Sequence, residues 1–314
     1  MANMKKNLLS AGAAIAARNK RYIVWFYLLN LVFASLGAAA FGMHAHGVLD
    51  NSLHADRLLH SFDLVTLVEM IARPEFGPVA ASTAPAAIFM GLFFLATLLF
   101  LPGVLLGYAS DHRLPRDEFY RACGRNVWRF VRLFFLFVII AGPVAGILSG
   151  VQAGLVKAAD HTSNERLPFF LQVGGTAILF LVLTAIRMWF DLAETDVVVG
   201  DEGSVRRSVA RAFRHSRRNL WSFLGSYVLI ALLAIAIVVG GVWLWDAIIP
   251  PSSLFGAFLI SQLILLLHLA TRFWQRASAV ALHGRLTDEA ALEPQVVPVI
   301  PVPAVSIAPG QSGA

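Results

Sequence analysis

One cysteine is all the chain contains, Cys123, so no intrachain disulfide can brace the fold. Charge is scarce as well. Charged residues make up 14% of the sequence, where an ordinary soluble domain carries roughly 25%. Such a chain cannot coat a water-facing surface in the usual way. Catalytic signatures are missing too: there is no Walker loop, no dinucleotide-binding fingerprint and no HExxH zinc motif. Ser149 and His268 are the candidate pair for an intramembrane hydrolase. At about 1.5 Å of rise per residue their depths differ by roughly 20 Å, too far for a nucleophile and its base. No catalytic, cofactor-binding or metal-ligating set emerges, and a non-enzymatic protein without a cofactor is the expectation.

What is plentiful is apolar surface. Hydrophobic residues make up 58% of the chain, against roughly 45–50% in soluble domains. Six stretches reach the length of about 20 residues that a helix needs to cross a bilayer core. They run from about Tyr22 to Gly42, Ala86 to Tyr108, Phe130 to Gln152, Phe169 to Asp191, Trp221 to Trp245 and Ser253 to Trp274. The expected fold is all-α: a polytopic membrane bundle of six transmembrane helices with amphipathic interfacial helices. Residues 1–21 form an amphipathic cytoplasmic segment and 22–285 the six-span domain. Residues 286–314, rich in proline, form a disordered tail. Pro250-Pro251 makes a tight antiparallel hairpin of spans five and six. Span one is too long for the apolar core of a signal peptide, about 7–15 residues, so it is expected to be retained.

The long connection at 43–85 is expected to be external and helical over Asp50 to Ile71. It holds His44, His46, His54 and His60, without the spacing of a recognised metal site. Polar surface is the simpler reading.

Arginine sets the orientation. Twenty-one of the 25 lysines and arginines precede span one, lie between spans two and three or in the first turn of span three, lie at or after the end of span four, or lie at or after the end of span six. Only Arg57, Arg73, Lys157 and Arg166 fall on the other side. By the positive-inside rule both termini are cytoplasmic, in the inner (plasma) membrane of a bacterium.

The basic segments also repeat. YRACGRNVWRF, Tyr120 to Phe130, precedes span three, and FRHSRRNLWSF, Phe213 to Phe223, precedes span five, 93 residues later. ARNKRYI, from Ala17, is a weaker copy before span one. Three units, each an amphipathic helix followed by a membrane hairpin, account for the pattern. The competing explanation is interface chemistry used twice. Over Ser204 to Arg218, Val205, Val209, Ala212 and Phe213 form one apolar stripe and arginine fills most of the rest. Arg206, Arg207, Arg211, Arg214 and Arg218 are therefore candidate contacts for anionic lipid headgroups. Leu8, Ala11, Ile15 and Ala16 repeat the stripe near the N-terminus. Nucleic acid is not an expected partner, because the aromatic residues lie at membrane edges.

Within the spans, Gly142, Gly146, Gly150 and Gly154 form a smooth ridge, expected to pack against another helix of the bundle. A homo-oligomer seam is the other use of such a ridge. Ionisable residues are few. Arg187 and Asp191, one turn apart, and His268 are the polar intramembrane candidates.

The stretch DLAETDVVVGDEGSVRRSVARAFRHSRRNLWSFLGSYVLI, Asp191 to Ile230, resembles the membrane-domain family attached to some bacterial glycerophosphoryl diester phosphodiesterases, and related multi-pass bacterial families of unknown function. There a membrane helix ends, a strand-like apolar run and an acidic turn follow, and an amphipathic helix leads into the next span. The resemblance implies an architecture and transfers no catalytic residue. The phosphodiesterase barrel itself would need about 250 residues, which this chain cannot hold.

Three function classes remain open: organiser of membrane lipid or partner proteins, transporter of an apolar or amphiphilic solute, and lipid-acting enzyme. The first is the leading expectation. The transporter would need a continuous cavity lined by Asn30, Gln172, Gln262 or His268. The enzyme would need Arg187, Asp191 and Glu194 to converge beside an open pocket. The layout itself is testable: reporter fusions in the Asp50 and Asp111 connections are expected in opposite compartments, and the same compartment for both would refute six spans.

Overall fold

The fold was analysed in a computed structural model, which describes residues 7–49, 79–110, 112–160, 162, 166–201, 203–218, 220–250 and 253–292. The helix expected at Asp50 to Ile71 and the tail beyond Leu292 lie outside the described residues. Among those described, eight helices and no strand are found: α1 Leu8–Arg18, α2 Lys20–Leu49, α3 Val79–Ala109, α4 Arg116–Ala159, α5 Arg166–Val199, α6 Val205–Arg218, α7 Leu220–Ile248 and α8 Leu254–Leu292. Six of them, α2 to α5, α7 and α8, are long and apolar enough to cross a membrane. An unpaired peptide group is costly in hydrocarbon, and a continuous helix satisfies all but its ends internally.

The helices overrun the expected spans. The amphipathic segment at Arg116 and span three are one helix, α4, which continues through Pro143. The strand-like run Asp196-Val197-Val198-Val199 is the last turn of α5. Val197 and Val198 are buried there, and packing outweighs the weak helix propensity of valine. Residues 286–292, assigned to the tail, are the last turns of α8.

The three-unit pattern has a physical counterpart. α2 pairs with α3, α4 with α5 and α7 with α8, giving three hairpins. The second members, α3, α5 and α8, also touch one another and fill the centre. Each unit's leading helix docks on the second helix of the unit before it. The start of α4 lies on α3, where Phe119 and Cys123 face Gly103, and α6 lies on α5. α1 lies on α8, so the first unit closes onto the last.

Matching atoms serve matching contacts. Trp189 of α5 donates its indole N–H to the Val209 carbonyl of α6 at 2.8 Å, and Trp274 of α8 donates to the Leu9 carbonyl of α1 at 2.9 Å. Leu9 and Val209 each precede the Asn of their Arg-Asn pair by the same number of residues. Asn19 and Asn126, both buried, each donate to the carbonyl four residues back. Asp201, at φ 45°, a conformation Asp tolerates better than most residues, turns the chain between α5 and α6. Its carboxylate meets Arg125 and Arg129 of α4 at 3.3 and 3.4 Å.

These contacts correct two expectations. α6 and α1 turn most of their apolar stripes to protein, with Phe213 left half-exposed. Val205, Ser208, Ala212 and Ser216 of α6 are buried, as are Leu8, Gly12 and Ala16 of α1. The glycine ridge of α4 is the second. A methyl group built on Gly142, Gly146, Gly150 or Gly154 would meet nothing within 4 Å, so the ridge packs against no described element of its own chain.

The close approaches occur elsewhere. A methyl on Gly107 would overlap the Tyr22 ring, and one on Gly12 would lie 2.9 Å from Ser278 Cα. Packing is concentrated at the arginine-rich end of the bundle. Leu101, Leu105, Phe130, Met188, Leu192, Phe223, Ile230 and Phe273 are enclosed there. Toward the other end, Ile147, Phe169, Val239 and Phe255 are exposed, the surface expected of helices facing lipid.

Gly12→Val is therefore expected to lower stability by about 1–3 kcal/mol, because the Ser278 backbone cannot give way. Gly146→Ala is expected to be neutral or slightly stabilising, as an unpacked helical glycine gains propensity. Thermal unfolding of both variants in one detergent measures the contrast.

Candidate functional site

The central helices bring ionisable groups together where no water need follow them. α5 supplies Arg187, Asp191 and Glu194; α8 supplies His268, Arg272, Gln275 and Arg276; α3 supplies Tyr108; α7 supplies Tyr227. A buried carboxylate must be hydrogen-bonded or paired. Asp191, 4% exposed, meets that need with the Tyr227 hydroxyl, 2.9 Å from its Oδ2. The same hydroxyl is 2.9 Å from the Gln275 backbone carbonyl, so one proton faces two acceptors on two helices. Gln275 Nε2 returns a 3.4 Å bond to the Tyr227 carbonyl. α5, α7 and α8 are thus joined at a single phenol.

Arg187 Nε stands 3.9 Å from Asp191 Oδ2, an ion pair too long to be a hydrogen bond. The pair expected from the one-turn spacing is present, with Tyr227 as the closer partner. Glu194, one turn below, feels the attraction of Arg276 and Arg187 and the repulsion of Asp191. Three guanidinium groups thus share this region with two carboxylates. Several enclosed polar atoms make no hydrogen bond: Tyr108 Oη, Arg187 Nε, Glu194 Oε2, His268 Nδ1, Gln275 Oε1 and Arg276 Nε.

A groove of about 420 Å³ between α5, α7 and α8 opens onto this cluster. Arg187, His268, Arg272 and Gln275 line its polar part, and Phe180, Leu183, Ile235 and Val239 are among its apolar lining. A second groove, about 650 Å³, is lined by Arg21, Tyr22, Trp25, Arg116, Phe119 and Tyr120. A third, about 440 Å³, is lined by Asn30, Phe33, Ala86 and Phe89.

Arg187 pairs with Asp191 and lines the same groove as His268. The four transport candidates do not come together. Asn30 and His268 line different grooves, Gln262 Oε1 accepts a 3.1 Å bond from Tyr27, and the Gln172 carbonyl accepts one from Gln152. Among the described residues no group of three or more His, Cys, Asp or Glu is placed to hold a metal ion.

The arginines of α6 divide. Arg211 meets both oxygens of the enclosed Asp196 at 3.1 and 3.3 Å, a protein partner the sequence did not suggest for it. Its position borders the apolar stripe, which brings its guanidinium to the buried carboxylate. Arg206, Arg207 and Arg214 stay exposed, and the side chain of Arg218 lies outside the described residues.

Sequence reasoning missed Tyr227 and Gln275. A signal existed for the region: Arg187-x-Trp189 and Arg272-x-Trp274 are copies of one motif, 85 residues apart. It marks the two helices on which the cluster sits.

Tyr227→Phe is expected to cost about 1–3 kcal/mol, since it leaves the Asp191 carboxylate short of its closest donor. Tyr108→Phe, which removes a hydroxyl without a partner, is expected to be neutral or stabilising. Thermal shifts of the two purified variants give the comparison. No protein-family model, no curated protein and no solved structure matches the chain, so the site stands on its own geometry.

Proposed function

We propose that this chain organises anionic lipid at the cytoplasmic leaflet of the inner (plasma) membrane, with both termini in the cytoplasm and without catalysing a reaction. The reading is carried by the outer face of α6. At 3.6 residues per turn, Arg206, Arg207, Arg214 and Arg217 fall within one sector of about 100°, with Phe213 at its edge. The opposite face is docked on α5, which aims this sector outward. All four arginines are exposed, and Phe213 is half-exposed.

A row of guanidinium groups beside a partly free aromatic ring suits the headgroup layer. Arginine meets phosphate there and phenylalanine reaches the acyl boundary. Each such cation contributes about 1 kcal/mol near an anionic surface. The bias of 21 basic residues to four supports placing this end in the cytoplasm. Transport finds less support, because the three grooves are lined by separate residue sets. Arg187, Asp191 and Glu194 do converge, but the Asp191 carboxylate is enclosed and engaged by Tyr227 rather than presented to a substrate.

The triple variant R206Q/R207Q/R214Q tests the reading. In nanodiscs of mixed phosphatidylglycerol and phosphatidylcholine, the unaltered chain is expected to enrich phosphatidylglycerol in its lipid shell. The triple variant is expected to lose most of that enrichment, and added salt to erode it in the unaltered chain. Equal enrichment in both proteins refutes the proposal.

A further inference from the structure

We infer that the groove between α5, α7 and α8 seats a single anionic phospholipid, its phosphate held by Arg187 and Arg272 and one acyl chain lying along the apolar wall. The site shares with the preceding proposal only the need for anionic lipid in the same leaflet. It uses none of the arginines of α6.

Charge argues for an anionic guest. Arg272 has no carboxylate within salt-bridge distance among the described residues; it feels the like charge of Arg187, the longer-range attraction of Asp191 and the like charge of Arg276. Arg187 has the 3.9 Å approach to Asp191, whose Oδ2 already accepts from Tyr227, and a longer-range attraction to Glu194. Two guanidinium groups therefore face one groove, and among the described residues neither is hydrogen-bonded to a carboxylate. A phosphate between them supplies negative charge and oxygen acceptors in the geometry arginine prefers.

Unmet hydrogen-bonding capacity argues for the same guest. Arg187 Nε, His268 Nδ1 and Gln275 Oε1 are enclosed, lack hydrogen bonds and belong to residues lining this groove. Gln275 is 3% exposed overall. Buried polar atoms are rarely left unmet in folded proteins. The unbonded side-chain amide oxygen of Gln275 can accept a hydrogen bond, and a glycerol hydroxyl of the headgroup supplies a donor.

The groove's polarity gradient argues for a lipid rather than free phosphate. Arg187, Arg272 and Gln275 lie toward the arginine-rich end, and Phe180, Ile235 and Val239 lie along the same helices toward the other. Ile235 and Val239 are 47% and 63% exposed, so the wall is open sideways to hydrocarbon. A molecule with a phosphate at one end and an alkyl chain at the other matches this order, and its chain enters without crossing water.

The test uses the full chain, delipidated in mild detergent and titrated with phosphatidylglycerol while bound lipid is counted by native mass spectrometry. One phosphatidylglycerol is expected to remain after delipidation, with phosphatidylcholine and oleate failing to replace it and inorganic phosphate failing to displace it. Arg272→Gln, which removes one of the two cations facing the groove, is expected to weaken retention about tenfold, roughly one charge-assisted bond. Ile235→Trp, which fills the apolar wall and leaves the polar cluster intact, is expected to weaken it as well.

R206Q/R207Q/R214Q is expected to keep the tight lipid while losing its enriched shell, so the two proposals fail separately. Absence of a retained lipid in the unaltered chain refutes the site. So does unchanged retention in Ile235→Trp, or equal occupancy by oleate or inorganic phosphate.

Discussion

A single phenolic hydroxyl carries the architecture of the polar centre. Tyr227 of α7 reaches a carboxylate on α5 and a backbone carbonyl on α8 at 2.9 Å each. In water such bonds contribute little net stability, because solvent competes for every partner. Inside a bundle with lipid around it the alternative is an unmet carboxylate, which costs far more. The enclosed rings around Tyr227, with Phe223 4.9 Å away in edge-to-face contact, keep water from taking the place of the hydroxyl. The groove and its arginines keep their positions because this knot fixes the helices that bear them.

Three units arranged in a closed ring explain why the knot sits where it does. The second helix of each hairpin faces the centre, and the leading helix of the next unit covers its end. Trp189 and Trp274 make the same bond in two of the three units. The α3 position has no such tryptophan, and there the start of α4 packs through Phe119, whose ring stacks on Tyr22 at 5.8 Å. The centre is therefore chemically unequal, with charge on α5 and α8 and a tyrosine on α3. That inequality gives the groove between α5 and α8 its cationic lining.

Much of this fold was legible in the sequence, for a local reason. Length and apolarity of a segment decide whether it can span a bilayer, and both are read from the segment itself. The basic repeats were legible on the same terms. Boundaries were less so, since α4 and α5 continue as helix past their apolar runs wherever polar residues find tertiary partners. Arg211 looked like its neighbours in sequence, and only the fold places Asp196 beside it. The glycines of α4 suggested close packing, but a smooth face permits contact without requiring it. The Tyr227 bonds span 36 and 48 residues and leave no periodic trace in the chain. Arg187, Asp191 and His268 could be singled out because charge is rare in such segments, whereas tyrosine and glutamine there attract no notice.

The docking of α1 on α8 has a temporal consequence. The bond from Trp274 to Leu9 joins residues 265 apart, almost the whole length of the chain. A ribosome delivers α1 well before α8. Until the final hairpin enters the bilayer, Leu8, Gly12 and Ala16 have no protein surface to cover them. The packing of α1 therefore completes only once α8 has arrived to receive it.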